Sequence, residues 1–141
     1  MIRGIVAGAA LVAAVGTLLT VPMPAAALPS CGEARRFDLG NRVSALIPVV
    51  SGTNDYKCVL GRPQHNWGVV VLQISLKECE GQSGLVVDGI YGDRTAGAVR
   101  NVQARYGITQ DGVYGPQTLS RMRVRGEFPG ATGPVPTCAR F

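Results

Sequence analysis

The run Asp88-Gly89-Ile90-Tyr91-Gly92-Asp93-Arg94-Thr95 returns as Asp111-Gly112-Val113-Tyr114-Gly115-Pro116-Gln117-Thr118, with Asp, Gly, Tyr, Gly and Thr in register. A short repeat at fixed offset reports architecture, because each copy must build the same local device. Asp88 and Asp111 suit an Asp-Gly turn in which the carboxylate accepts backbone N–H groups of its own turn. Gly89 and Gly112 supply the positive φ that such a turn needs. Gly92 and Gly115 then stand at helix N-cap positions, and Pro116 takes the first helical position, where its missing N–H costs nothing. Asp93 fills that place in the first copy, facing the positive end of the helix dipole.

Helical periodicity surrounds both turns. Val69, Leu72 and Leu76 share one face of a helix predicted from about Trp67 to Lys77, with Gly81 and Gly84 beyond its end. A second helix opens near Asp93, carries Thr95, Val99, Val102 and Tyr106 on one stripe, and stops at Gly107. A third, short helix begins at Pro116 and buries Leu119 and Met122. Before these helices, Val43 to Val50 is an apolar run in which Pro48 permits at most an edge strand or an extended arm. After them, Gly130, Gly133, Pro134 and Pro136 read as a tail that Cys138 must anchor.

The first 27 residues have the pattern of an export signal: Arg3, an apolar stretch from Ile5 to Leu19, and a small-residue site at Ala25-Ala26-Ala27. Pro22 and Pro24 interrupt the stretch, so it is too short for a membrane span. Nothing after Leu28 suits a bilayer. Leu28-Pro29-Ser30-Cys31 faintly resembles a lipid-attachment box, but lipidation of Cys31 would leave an odd number of cysteines.

Cys31, Cys58, Cys79 and Cys138 lack CxxC spacing, and with His65 as the only histidine a zinc cluster lacks ligands. Two disulfides are expected, with three pairings possible. Because the segment from Cys58 to Trp67 is long enough to run back along the first helix, chain reach favours Cys58–Cys79, leaving Cys31–Cys138. Such staples suit a domain this small. Of the 14 basic residues one, Arg3, lies in the signal; the others still outnumber the 9 acidic residues. A moderately basic exported chain fits a polyanionic wall polymer better than nucleic acid.

Taken together, Val69-x-x-Leu72-Gln73-x-x-Leu76, the two DGxYG turns and Ala98-Val99-x-x-x-Gln103 resemble the peptidoglycan-binding domain family of three-helix modules. The resemblance covers about Cys58 to Arg123. It implies an all-α fold, a compact three-helix module; together with the residue readings above, the expected organisation is a signal peptide (1–27), an irregular N-terminal arm (28–57), the module (58–125) and a C-terminal tail (126–141), stapled by two disulfides. It also implies a module that attaches to bacterial peptidoglycan through its glycan strand or stem peptide. A secreted monomer with no cofactor, no metal, no nucleic-acid partner and no membrane contact after signal cleavage is expected. A protein-interaction module, partner or inhibitor of a secreted enzyme, is the alternative reading, and a small wall hydrolase the third.

For ligand contacts, Trp67, Tyr91 and Tyr114 offer rings on which a sugar face could stack, although each tyrosine can equally pack its turn against a helix. Arg94 and Gln117 occupy equivalent positions at the starts of their helices, where a guanidinium can meet a stem-peptide carboxylate. Gln73 and Gln103, amides on otherwise apolar helices, are expected to bond turn backbone. No residue is expected to be catalytic: His65 has no nucleophile or orienting group in its sequence surroundings, and of the carboxylates only Glu78 and Glu80 are placed to face a cleft. Neither turn carries the alternating ligands of a calcium loop.

Overall fold

The computed structural model describes residues 27–130 and 132–141. The expected export segment therefore lies, apart from Ala27, outside the described residues. Two strands, β1 (Glu33–Gly40) and β2 (Val43–Val49), precede the helices α1 (Trp67–Cys79), α2 (Asp93–Arg105) and α3 (Pro116–Leu119), and two more, β3 (Arg123–Gly130) and β4 (Gly133–Arg140), follow them.

The three helices start where the sequence places them, but the all-α expectation is overturned. The expected arm (28–57) holds β1 and β2, while β3 begins at Arg123, inside the expected helical module, and runs with β4 through the expected tail; the four form one antiparallel sheet, ordered β1-β2-β3-β4. Local chemistry explains the first hairpin and the prolines of β2 and β4. Asn41 and Arg42 both take positive φ, the signature of a type I′ hairpin turn whose twist matches its flanking strands. In β2, Ala45, Ile47 and Val49 alternate inward and are buried. Pro48 lies beyond Ser44 and Ala45, the two β2 residues that pair with β3, so the proline sits where the strand has only β1 beside it. Pro134 and Pro136 are in β4, an outer strand, where a missing donor is tolerated.

The sheet exists because α1 needs two covers. Its buried residues Val69, Val71, Leu72, Ser75, Leu76 and Cys79 spread over more than one face, and α1 touches all four strands as well as α2. A helix apolar on so much of its surface must be buried. Three helices alone would leave half of α1 in water. By contrast α2 buries a single stripe, including Thr95, Val99, Val102 and Gln103. Asn66 caps α1, its Oδ1 accepting from the Val69 N–H at 3.1 Å. A second apolar knot joins Phe37, Tyr56 and Phe141 edge to face, with centroids 4.8 to 6.1 Å apart, and closes the C-terminus onto β1.

Both disulfides form, but with the other pairing: Cys31–Cys58 and Cys79–Cys138. The segment after Cys58 does not run back along α1. It crosses toward the start of that helix, pairing Leu60 with Tyr114 and His65 with Ile90. The Cys31 carbonyl accepts from Asn66 Nδ2 at 3.0 Å, which places the first disulfide at the N-terminal end of α1. Cys79 lies at the far end, roughly 18 Å along the axis, where β4 brings Cys138. With sequence separations of 27 and 59, the loop-entropy account gives at most about 3.5 and 4 kcal/mol. The Cys31 sulfur is engaged in this bond.

Candidate functional site

Each repeated turn hangs on a glutamine from the helix before it. Gln73 Nε2, on α1, donates to Asp88 Oδ1 at 2.9 Å, Ile90 O at 3.1 Å and Thr95 Oγ1 at 3.0 Å, while its Oε1 accepts from the Asp88 and Gly89 N–H groups. Gln103, on α2, repeats this with Asp111 Oδ1, Val113 O and Thr118 Oγ1, and accepts from Gly112 N–H at 2.9 Å. Both glutamines are buried, so each amide replaces water for the turn it holds. The aspartates also accept the N–H two residues on, from Ile90 and Val113, each at 2.9 Å. These bonds from the Ile90 N–H and then from Gln73 hold the Asp88 carboxyl below its ordinary value. Gly89 and Gly112 have φ of 76° and 70°.

The tyrosines of the repeat are core residues. Tyr91 and Tyr114 are each 1% exposed, so their ring faces are enclosed and offer no stacking surface to a ligand. Tyr91 Oη donates to the Gly112 carbonyl at 2.9 Å, tying the first turn to the second, whereas the buried Tyr114 Oη meets no partner among the described residues. Burial raises the pKa of both phenols.

The other candidates face solvent. Trp67, first residue of α1, is 52% exposed, and Ile90 and Val86 are exposed to the same degree. Arg94 and Gln117 are exposed at the starts of α2 and α3. Arg94 makes no ion pair among the described residues, although its neighbour Asp93 pairs with Arg62. Two open depressions of about 400 and 380 Å³ meet at Leu85 and Arg94. One lies over the first turn, beside Val86, Asp88 and Ile90; the other lies between the α1–α2 loop and α2, beside Gln82, Gly97 and Asn101. Sequence reasoning found Arg94 but missed Gly97 and Asn101. The available signal was a glycine inside a helical pattern.

The two carboxylates at the end of α1 are committed elsewhere. Glu80 is wholly buried, bonded to Arg105 Nη1 at 2.9 Å, to Tyr106 Oη and to the Arg123 N–H, and so fastens α1 to α2 and β3. Glu78 pairs with Arg125 at 3.3 Å. His65 is exposed, and its backbone bridges to Ile90. No helix among the described residues is long and apolar enough to cross a membrane.

Residues 67–122, which hold all three helices and both turns, match the family model of the peptidoglycan binding domain, the family the sequence motifs resemble. No curated protein and no solved structure matches the chain.

Proposed function

We propose that this chain, whose residues 67–122 match the peptidoglycan binding domain family, is a secreted, non-catalytic module that holds bacterial cell-wall peptidoglycan. The family match over the helical core carries this reading. Export is supported by the Arg3, Ile5–Leu19 and Ala25–Ala27 pattern and by two disulfides, which persist in oxidising compartments. Absence of chemistry is supported by the burial of Glu80 and the engagement of Glu78, the carboxylates best placed in sequence for hydrolysis. Exposed Trp67, Arg94 and Gln117 supply the contact groups, while Tyr91 and Tyr114 serve as the frame behind them.

Co-sedimentation of the oxidised mature protein with purified, protein-free sacculi tests the reading directly. Retention that survives washing is expected; a protein that stays in the supernatant refutes it. Sacculi that clear and release soluble muropeptides would replace the binder with a hydrolase. The protein-docking alternative draws on the open outer edges of β1 and β4, and predicts no retention together with capture of a secreted protein.

A further inference from the structure

The trough that runs past Arg94 has a floor of glycines that packing does not demand. A Cβ at Gly84, Gly92 or Gly97 would meet no atom within 4 Å beyond its chain neighbours and its own helix backbone. Gly97 is the informative one, because it sits inside α2, where glycine is the poorest ordinary choice and alanine would fit without contact. Its position lowers the wall of the second depression, beside Ala98 and Asn101. Glycine placed this way lets another backbone approach closely.

The polar groups around the trough are few and unequal. Arg94 is a cation without an ion-pair partner among the described residues, and it is shared by both depressions. Asp88 lines the first depression with Oδ1 engaged by its turn and Oδ2 accepting no hydrogen bond among the described residues. Asp93 is already paired with Arg62. One guanidinium and one carboxylate oxygen, both without partners among the described residues and in a single depression, complement a carboxylate and an ammonium together; a polyphosphate would meet Asp88 and Asp93 as like charges. Val86 and Ile90 provide apolar walls, and Asn101, whose Nδ2 donates to Gln82 Oε1 at 3.2 Å, has an Oδ1 with no hydrogen bond among the described residues to accept a peptide N–H. Among the described residues no aromatic ring lines either depression, so a pyranose face finds no ring there to stack on.

We infer that this trough reads the stem peptide rather than the glycan strand, taking the zwitterionic end of a diamino acid with its carboxylate on Arg94 and its ammonium beside Asp88. The inference rests on the wall-binding reading and specifies which part of the polymer is recognised. It assigns Arg94 as the binding cation and Gly97 as the residue that keeps the peptide's path open.

The test uses the full oxidised mature protein and three soluble probes: a stem peptide whose diamino acid has a free amino-acid end, the same peptide with that carboxylate amidated, and peptide-free glycan oligomers. Titration followed by amide chemical shifts should show the first probe perturbing the backbone around Gly84, Arg94 and Gly97, with affinity lowered roughly tenfold by amidation and no response there to glycan. Arg94→Ala should weaken peptide binding by a similar factor. Gly97→Leu should fill the trough and weaken binding while leaving the melting temperature unchanged or raised, so lost affinity cannot be blamed on misfolding. Wild-type affinity in both variants, or glycan binding without peptide binding, overturns the inference. Retention on sacculi with no peptide affinity sinks this proposal alone, whereas absence of retention sinks the wall-binding reading itself.

Discussion

Around Asp88 the anchoring glutamine comes from α1 and accepts two turn N–H groups; around Asp111 it comes from α2 and accepts one. The first turn launches a helix of 13 residues, the second a helix of 4 that gives way to β3. Tyr91 finds a partner in the other copy's Gly112 carbonyl, while Tyr114 finds none among the described residues. Both copies bond the segment before α1, the first through Tyr91 N–H to Gln64 O at 2.8 Å and the second through two 2.9 Å bonds between Leu60 and Tyr114, but the first is also edged by open depressions and by Arg94, which has no ion pair among the described residues. Duplication therefore reproduced a structural fastening, and the surroundings decide which copy stands beside open depressions.

The glutamines offer the strongest way to break this comparison. Replacing Gln73 by Ala leaves two turn N–H groups and the Asp88 and Ile90 acceptors without their buried partner, and Gln103→Ala leaves one N–H in the same position. Since each orphaned buried group costs on the order of 1–3 kcal/mol, Gln73→Ala should lose about 3 kcal/mol or more and Gln103→Ala somewhat less. Urea unfolding of both variants checks the order. Equal losses would mean that the extra N–H at Gln73 contributes nothing. Gly112→Val comes next, at roughly 2–3 kcal/mol, because φ is 70° and a Cβ would lie 3.1 Å from the Ala96 carbonyl oxygen.

The tyrosines sharpen the contrast, because the same hydroxyl deletion should change stability in opposite directions. Tyr91→Phe removes the bond to Gly112 O and should cost about 1 kcal/mol. Tyr114→Phe removes a buried hydroxyl with no partner among the described residues and should gain about 1 kcal/mol. Paired thermal melts provide the measurement. A loss in both variants would show that the Tyr114 hydroxyl is satisfied in solution.

What was legible in the sequence was whatever is encoded within a few neighbouring residues. The Asp-Gly turns, the helix starts at Trp67, Asp93 and Pro116, and the buried stripe of α2 are local consequences of turn chemistry and period. The sheet was not, because its strands pair residues as distant as Ala45 and Gly126, and because prolines and arginines in β1, β3 and β4 mask the alternation. Asn41 in a Gly-Asn turn and Arg35-x-Phe37-x-Leu39 were the available hints. The apolar breadth of α1 was a third, since Val70, Val71 and Ile74 extend its hydrophobic surface beyond the stripe that α2 covers. The disulfide pairing failed for a related reason: chain reach shows what can meet, but only the path of residues 58–66 shows what does. At the candidate site Arg94 was legible as a charge at a helix start, whereas the trough beside it depends on the α1–α2 loop standing off from Gly97.

The smallest expected effect is the pH response of the first turn. Hydrogen bonds from the Ile90 N–H and from Gln73 favour the ionised form of Asp88 and lower its pKa from the usual 3.8. A carboxyl depressed on folding contributes stability that is fully present above the unfolded value and lost as the pH falls through the folded one. The contribution should therefore be constant from neutral pH down to about pH 5 and fall away progressively on further acidification. Asp88→Asn keeps an oxygen in the same place for the turn but cannot titrate, so its stability curve should run parallel to the wild type near neutrality and converge with it in acid. Denaturant midpoints measured at several pH values between neutrality and strong acid read this out. Curves that stay parallel throughout would mean that the charge of Asp88 adds nothing to the bonds its oxygen already makes with Gln73 and the Ile90 N–H.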